Sequence, residues 1–123
     1  MRKCTACKEE KPHSEFYKNK EGEFGLHAEC KACFRKRASE YRRVFRQEIR
    51  DLKEASPCMD CGEHHRYFAM QYDHRDQSTK VEMISQMVSK SHGRTAVYAE
   101  IEKCDLVCGN CHAYRTHAQQ TDL

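Results

Sequence analysis

The clearest regular pattern of apolar and polar positions lies between residues 34 and 54. Apolar residues recur there three or four positions apart, at Phe34, Ala38, Tyr41, Phe45, Ile49 and Leu52. This spacing gathers them into one stripe on an α-helix. Because proline disfavours helical geometry in the residue before it, we expect the helix to end at Ser56-Pro57.

A pattern with a different period follows in residues 66–75. Phe68, Met70 and Tyr72 alternate with other residues and lie on one face, which predicts a strand. Residues 8–29 are polar with a few aromatics and predict a short hairpin or loop. Weaker apolar patterns predict three further helices, over 81–90, over 94–104 and from Asn110 to about Ala118.

The composition leaves little material for a core. Only 38% of the 123 residues are hydrophobic and 33% are charged, and small domains of this kind usually need disulfides or metal ions. The chain begins Met1-Arg2-Lys3-Cys4 without an apolar signal segment, and no apolar run is long enough to span a membrane. We therefore expect a cytoplasmic protein without a membrane partner, in which clustered cysteines bind zinc.

Eight of the nine cysteines form Cys-x2-Cys pairs: Cys4/Cys7, Cys30/Cys33, Cys58/Cys61 and Cys108/Cys111. Each pair suits a zinc knuckle, and two pairs complete a tetrahedral four-sulfur site. The pattern thus predicts two structural Zn²⁺ ions. The simplest arrangement joins neighbouring pairs, although an interleaved arrangement satisfies the same spacing. Cys104 is unpaired and is expected to be a small core residue.

Charge is distributed unevenly along the chain. Residues 1–57 hold 15 Lys and Arg against 10 Asp and Glu, whereas residues 58–123 hold 7 against 9. Many of the cations lie on the predicted helix, where they form either a solvated face or a surface for DNA phosphates. The candidate phosphate contacts are Arg35, Lys36, Arg42, Arg43, Arg46 and Arg50, together with Lys80.

Two segments carry groups suited to phosphodiester hydrolysis. Asp73 and His74 end the predicted strand, and His112 and Arg115 lie one helical turn apart after the last cysteine pair. A carboxylate suits a hard divalent ion, and a histidine suits a base near neutral pH. An arginine can hold the phosphate.

These segments resemble the His-Asn-His endonucleases with the ββα-metal fold, especially small phage-borne members. The matching motifs are Asp73-His74-Arg75-Asp76, Ser78-Thr79-Lys80, the run from Lys103 to His112, and Arg115-Thr116. Together they cover about residues 58–117. The N-terminal half resembles a four-cysteine zinc finger found fused to such nucleases, on Lys3 to Cys7, Lys11-Pro12, Glu15-Phe16-Tyr17 and Cys30 to Cys33.

The resemblance implies a metal-dependent enzyme that nicks or cleaves DNA. His74 is then the general base, Asp73 and His112 bind a catalytic Mg²⁺ or Mn²⁺, and Asn110 orients the base. Many members place their middle asparagine where this chain has Lys103.

The fold implied is α+β, with a small zinc-stapled, treble-clef-like ββα-metal core preceded by a zinc finger and a long basic helix. The expected segments are a zinc finger over 1–33, a linking helix over 34–56 and a nuclease domain over 57–120. If the chain is phage-encoded, the compartment is the host cytoplasm.

Two other functions fit parts of the pattern. A non-catalytic zinc-finger DNA-binding protein would share the cysteine pairs and the basic helix. A cross-braced protein-interaction module fits less well, because 46 residues separate Cys61 from Cys108 and the basic helix would have no role. Monomer and dimer, and nicking and double-strand cleavage, stay open at this point.

Overall fold

The computed structural model describes residues 1–121 of the chain, which form a small α+β protein. It divides into two compact units, Met1–Tyr41 and a second that begins at Arg42, and each unit is described by itself. The elements of the described residues are β1 (Arg2–Lys3), β2 (Glu10–Lys11), β3 (Phe16–Lys18), β4 (Leu26–Cys30), α1 (Lys31–Ala55), β5 (Met70–His74), α2 (Ile84–Ser89), α3 (Arg94–Ile101), β6 (Cys104–Cys108) and α4 (Gly109–Thr121).

Two short antiparallel pairs build the first unit. β1 pairs with β2, and β3 pairs with β4, where Phe16 stands opposite Cys30. The buried cluster consists of Cys4, Phe16, Leu26 and Cys30, with Cys33 packed against it. The core of this unit is therefore made largely of cysteines and is too small to be stable without a staple.

The second unit is organised around the antiparallel pair β5 and β6. Their register runs without interruption from Met70 opposite Cys108 to His74 opposite Cys104. Cys58, Met70, Val107 and Cys108 form a buried cluster. The strand β6 leads directly into α4, so this hairpin fixes where α4 begins.

The two units repeat one backbone pattern around their first cysteine pairs. The amide of Cys4 donates to the carbonyl of Glu9, and the amide of Cys58 donates to that of Glu63, at 3.0 and 2.9 Å. The residue after each pair, Lys8 or Gly62, has a positive φ of 66° or 76°. Glycine adopts this conformation freely, whereas lysine does so at a cost.

The second cysteine pair also occupies equivalent positions in the two units. Cys30 is the last residue of β4 and Cys33 lies in the first turn of α1, just as Cys108 ends β6 and Cys111 lies in the first turn of α4. We call each arrangement a cysteine frame: a knuckle, an antiparallel hairpin and the helix that follows it.

The predicted elements are largely present. The helix expected over 34–54 is confirmed and begins earlier, at Lys31. The strand expected over 66–75 is confined to Met70–His74, because Tyr67–Ala69 form a 3₁₀ turn. The C-terminal helix expected from Asn110 is confirmed as α4.

The prediction of helix over 94–104 is wrong at its end. The helix α3 stops at Ile101, and Cys104 begins a strand. Pairing with β5, which is distant in sequence, outweighs the local helical pattern there. Cys104 is buried, as expected. Within residues 1–121, no helix has both the length and the apolar character needed to cross a membrane.

Candidate metal centres and the adjoining cavity

The eight paired cysteines gather into two tetrads, each with its sulfur atoms within 4.8 Å of one another. One consists of Cys4, Cys7, Cys30 and Cys33, and the other of Cys58, Cys61, Cys108 and Cys111. Neighbouring pairs therefore combine, and the interleaved alternative does not occur. Four sulfurs bound to one zinc at 2.3 Å would stand about 3.8 Å apart, close to the 4.0 Å between the Sγ atoms of Cys61 and Cys108. Both tetrads can hold a structural ion such as zinc.

Several backbone amides point at the first sulfur of each tetrad. Burial raises the pKa of Cys4, but amide hydrogen bonds from Cys30, Cys7 and Ala6 outweigh it and lower the pKa to about 5. The corresponding bonds from Cys61, Cys108 and Asp60 lower the pKa of Cys58 to about 6, also against the effect of burial. Zinc binds the thiolate rather than the thiol, so both sulfurs are prepared for a metal ion.

A side-chain nitrogen also contacts each tetrad. Lys11 Nζ lies 3.2 Å from Cys30 Sγ, and His65 Nε2 lies 3.8 Å from Cys61 Sγ. Cys61, Glu63 and His65 form a third group with ligand-type atoms close together. His65 follows Cys61 by four residues, as Lys11 follows Cys7. Lys11 contacts the third cysteine of its tetrad and His65 the second, so the two side chains are equivalent in sequence position and not in contact.

Asp73 and His112, the two expected ligands of a catalytic metal, lie together. Asp73 Oδ1 is 3.7 Å from His112 Nε2. The other carboxylate oxygen of Asp73, Oδ2, accepts a hydrogen bond from Arg115 Nη1 at 3.0 Å. β5 supplies Asp73 and α4 supplies both partners, so the hairpin and the helix of the second cysteine frame bring these three groups together.

Arg115 stands at the centre of a cluster of carboxylates. It donates through Nε and Nη2 to both oxygens of Asp60, at 2.6 and 2.7 Å, and through Nη1 to Asp73 and Asp105 at 3.0 Å. Hydrogen bonds to Asp60, followed by those to Asp73 and Asp105, raise the pKa of Arg115 above its usual range. The guanidinium expected to hold a phosphate is thus already engaged with protein carboxylates.

His74 faces the opposite side of β5 from Asp73, as adjacent residues on a regular strand do. Its Nε2 lies 2.8 Å from Glu100 Oε2, and both side chains are buried. Burial raises the pKa of Glu100, but hydrogen bonds from the Val81 amide, Lys103 and His74 outweigh it and lower the pKa to about 2. The ionised carboxylate can only accept, so Nε2 of His74 carries the proton and donates.

Lys103, which stands at the expected place of the middle asparagine, ties together the segments around His74. Its Nζ donates to the carbonyl of Thr79 at 2.9 Å and lies 3.0 Å from Glu100. Its own carbonyl accepts from the Arg75 amide at 3.1 Å. Asn110 is exposed in the first turn of α4, and no hydrogen bond joins it to His74 within the described chain.

A cavity of about 690 Å³ adjoins these groups and lies within the second unit. The C-terminal half of α1, the turn before β5, β5, α2 and His112 surround it. Asp73, His74 and His112 are among the residues that line it. No hydrogen bond to Nδ1 of His74 occurs within residues 1–121. Nδ1 is therefore the ring nitrogen that no described group engages.

Four cations line the same cavity: Arg46, Arg50, Lys53 and Lys80. No carboxylate partner of these four occurs in the described part of the chain. Elsewhere in the unit, cations such as Arg66, Lys90 and Arg94 are paired with glutamates. Burial and then repulsion from Arg50 lower the pKa of Lys53. The cavity thus concentrates positive charge that the protein does not neutralise.

The other candidate phosphate contacts have different surroundings. Arg42 donates to Ser91 Oγ at 2.9 Å, and Arg43 lies exposed on α1. Arg35 and Lys36 belong to the part of α1 in the first unit. The structure therefore brings only Arg46, Arg50 and Lys80 of the predicted set to the cavity.

Several residues of the site were not predicted. Lys53 belongs to the basic face of the predicted helix but was not selected as a phosphate contact, although it follows Arg46 and Arg50 at helical spacing and so shares their face of α1. Glu100 had a usable signal too, because it lies three residues after the buried Val97, where a charged residue interrupts an apolar stripe. Asp60 and Asp105 had none, since only the folded chain brings them to Arg115.

Comparison with known proteins adds no relative. No protein-family model, curated protein or solved structure matches this chain. The resemblance to the His-Asn-His endonucleases therefore depends on the motifs alone.

Proposed function

We propose that this protein is a metal-dependent DNA endonuclease that hydrolyses phosphodiester bonds. One observation carries the proposal: Asp73 Oδ1 and His112 Nε2 lie 3.7 Å apart beside a cavity with four unneutralised cations. A carboxylate oxygen and an imidazole nitrogen this close can bind one divalent ion, and the cations would attract the phosphates of the substrate.

The donor set fits a labile, hard ion. Arg115 occupies Oδ2 of Asp73 and leaves Oδ1 directed at His112. Two protein ligands suit Mg²⁺ or Mn²⁺, which usually keep water and phosphate oxygens as their remaining ligands. When bound, such an ion would stabilise negative charge on the phosphate oxygens.

His74 would serve as the general base. Glu100 accepts a hydrogen bond from Nε2 of the imidazole. This bond favours the tautomer in which Nδ1 carries no proton. Nδ1 can then take a proton from water that enters the cavity. The ionised Glu100 would also stabilise the imidazolium formed by that transfer.

Arg115 would position Asp73 rather than hold the substrate. Its fork on Asp60 and its bond to Asp73 connect the knuckle of the second cysteine frame with β5. The phosphate would then be held by Arg46, Arg50, Lys53 and Lys80, for which no carboxylate competes among the described residues.

A second candidate function is a non-catalytic zinc-finger DNA-binding protein. The ion pair between Arg115 and Asp73 favours it, because a carboxylate already satisfied by an arginine does not need a metal ion. The two functions share the cysteine frames and the cavity cations, and they differ in what Asp73, His74 and His112 do.

A plasmid assay separates them. Wild-type protein is incubated with supercoiled DNA and Mg²⁺ or Mn²⁺, and nicked and linear products are quantified. We expect cleavage with one of these ions, and Asp73→Asn or His112→Ala should lower it by more than about 100-fold, at least the loss seen when metal-site partners are removed.

Asp76→Asn is the matched control. Asp76 lies three residues from Asp73 but only caps its own turn, by accepting from Ser78, so the variant should keep its activity. DNA binding and two zinc ions per chain should persist in all three variants. Wild-type protein that binds DNA tightly yet cuts with no divalent ion would falsify the endonuclease proposal and favour the second candidate.

A further inference from the structure

The cavity beside Asp73 and His112 has an aromatic and apolar wall that phosphate binding does not require. Phe68 is 72% exposed, and its ring meets that of Tyr67 edge to face at 5.6 Å. Both rings line the cavity. Phosphates are bound by cations and amides, so exposed rings at this place call for a ligand with a flat apolar surface.

The cations of the cavity are combined with these rings. The Arg50 guanidinium lies 4.7 Å from the centre of the Tyr67 ring, and Lys53 Nζ lies 5.5 Å from that of Tyr72. A groove that alternates cations with aromatic faces is typical of proteins that bind single-stranded nucleic acid. In such proteins the bases stack on the rings and the cations follow the backbone.

From this arrangement we infer that the cavity receives an unpaired nucleobase of DNA next to the phosphate that is cut. The inference deepens the proposed function and depends on it for the position of that phosphate. A base inside a duplex has both faces covered by its neighbours, so it cannot reach Phe68 unless it leaves the stack. The preferred substrate would therefore be single-stranded DNA, or duplex DNA with an unpaired nucleotide.

The size of the cavity agrees with this ligand. Its volume of about 690 Å³ lies within the range of about 300–1,000 Å³ found for small-molecule sites, which is ample for one nucleotide. Ile49, Met70 and Val88 contribute apolar surface, against which a base can be buried. Charge complementarity selects a polyanion over a neutral aromatic ligand.

The test measures binding without cleavage. Fluorescence anisotropy is recorded for a labelled single strand, its blunt duplex and the same duplex with one unpaired nucleotide, in Ca²⁺ buffer at fixed salt. We expect the single strand and the interrupted duplex to bind at least about 10-fold more tightly than the blunt duplex. Phe68→Ala should weaken binding to both by about 5- to 150-fold, the range that corresponds to one stacked base.

Tyr114→Ala is the matched control, because Tyr114 is an equally exposed aromatic residue, at 78%, on α4 and does not line the cavity. This variant should bind like wild type. Phe68→Trp should retain the preference, since a larger ring stacks at least as well. In a strand of the same sequence that carries 2-aminopurine, binding to wild type should quench the fluorescence of that base, and binding to Phe68→Ala should not.

The outcomes separate this inference from the proposed function. Equal binding of the three DNAs, or no effect of Phe68→Ala, overturns the inference even if the protein cuts plasmid. Tighter binding of an RNA strand overturns its assignment to DNA. If the protein binds unpaired DNA selectively but never cuts DNA, the inferred base site is supported and the endonuclease proposal is refuted.

Discussion

The two cysteine frames have the same scaffold and carry different side chains. In each, the amide of the third cysteine, Cys30 or Cys108, donates to the sulfur of the first at 3.3 Å. Phe16 and Met70 pair with those cysteines across the hairpin and are buried against the tetrad. The backbone and the core of the frame therefore do not distinguish the two units.

The difference appears at positions that the frame exposes. Four residues after its third cysteine, the first frame has Phe34 and the second has His112. The Phe34 ring packs near Tyr17 and His27, at 5.2 and 5.5 Å, whereas His112 faces Asp73. Each cysteine tetrad thus positions a strand and a helix. The side chains on the surfaces of these two elements then decide whether groups suited to catalysis are brought together.

The largest expected effect comes from breaking the second frame. Cys108→Ser removes one ligand of its tetrad, and losing the zinc withdraws on the order of 10 kcal/mol of folding free energy. We expect zinc content to fall from two ions per chain to one, and cleavage to be abolished, because β5 and α4 no longer hold Asp73 against His112.

Cys104→Ser controls for a buried cysteine on the same strand. Cys104 Sγ donates to the carbonyl of Glu100 at 3.4 Å, and serine can do the same. Metal analysis of this variant should still give two zinc ions. Full activity with one zinc ion in Cys108→Ser would show that the second frame does not organise the site.

The frames also show how far the sequence alone could lead. The spacing of the cysteine pairs predicted both tetrads, and the helical period predicted α1. The sequence did not reveal that Arg115 is surrounded by Asp60, Asp73 and Asp105, because three separate elements, the knuckle, β5 and β6, supply these carboxylates. The strand β6 was missed because its partner lies some thirty residues earlier in the chain.

A smaller effect should follow from substituting the arginine seven residues after the third cysteine. Arg115→Lys keeps the charge but loses the fork on Asp60 and the shared contact to Asp73 and Asp105. We expect a loss of about 1–3 kcal/mol in unfolding free energy, as for hydrogen bonds to charged groups. Cleavage should fall about 10- to 100-fold as Asp73 loses its support.

Arg37→Lys changes the equivalent residue of the first frame. Arg37 has a largely exposed side chain and pairs with the half-buried Glu29, and because lysine keeps the charge of that single pair we expect a loss of about 0–1 kcal/mol. Denaturant unfolding of both variants measures the contrast. Equal losses in the two frames would mean that the carboxylate cluster around Arg115 adds nothing specific to the second.

A still smaller effect, on DNA binding, is expected from substituting the cavity cations. Replacing Arg50 and Lys53 with alanine should weaken DNA binding and reduce the slope of log K against log salt by about 1–2, one unit per lost phosphate contact. Arg66→Ala with Lys90→Ala removes the same charge from side chains that already have glutamate partners. If the salt slope of the Arg50/Lys53 variant is unchanged, or if both double variants change it equally, the cavity cations do not contact DNA phosphates.

The smallest effect on turnover should come from breaking the first frame. Cys4→Ser removes a ligand of the other tetrad, so one zinc ion per chain is again lost, and the hairpin of β3 and β4 should lose its order. Asp73, His74, His112 and the cavity all belong to the second unit. At saturating DNA we therefore expect the cleavage rate to stay within about 10-fold of wild type, which corresponds to about 1.4 kcal/mol in the barrier. Single-turnover rates of Cys4→Ser and Cys108→Ser, measured beside their zinc contents, compare the frames directly, and equal loss of cleavage would mean that chemistry in the second frame requires the first.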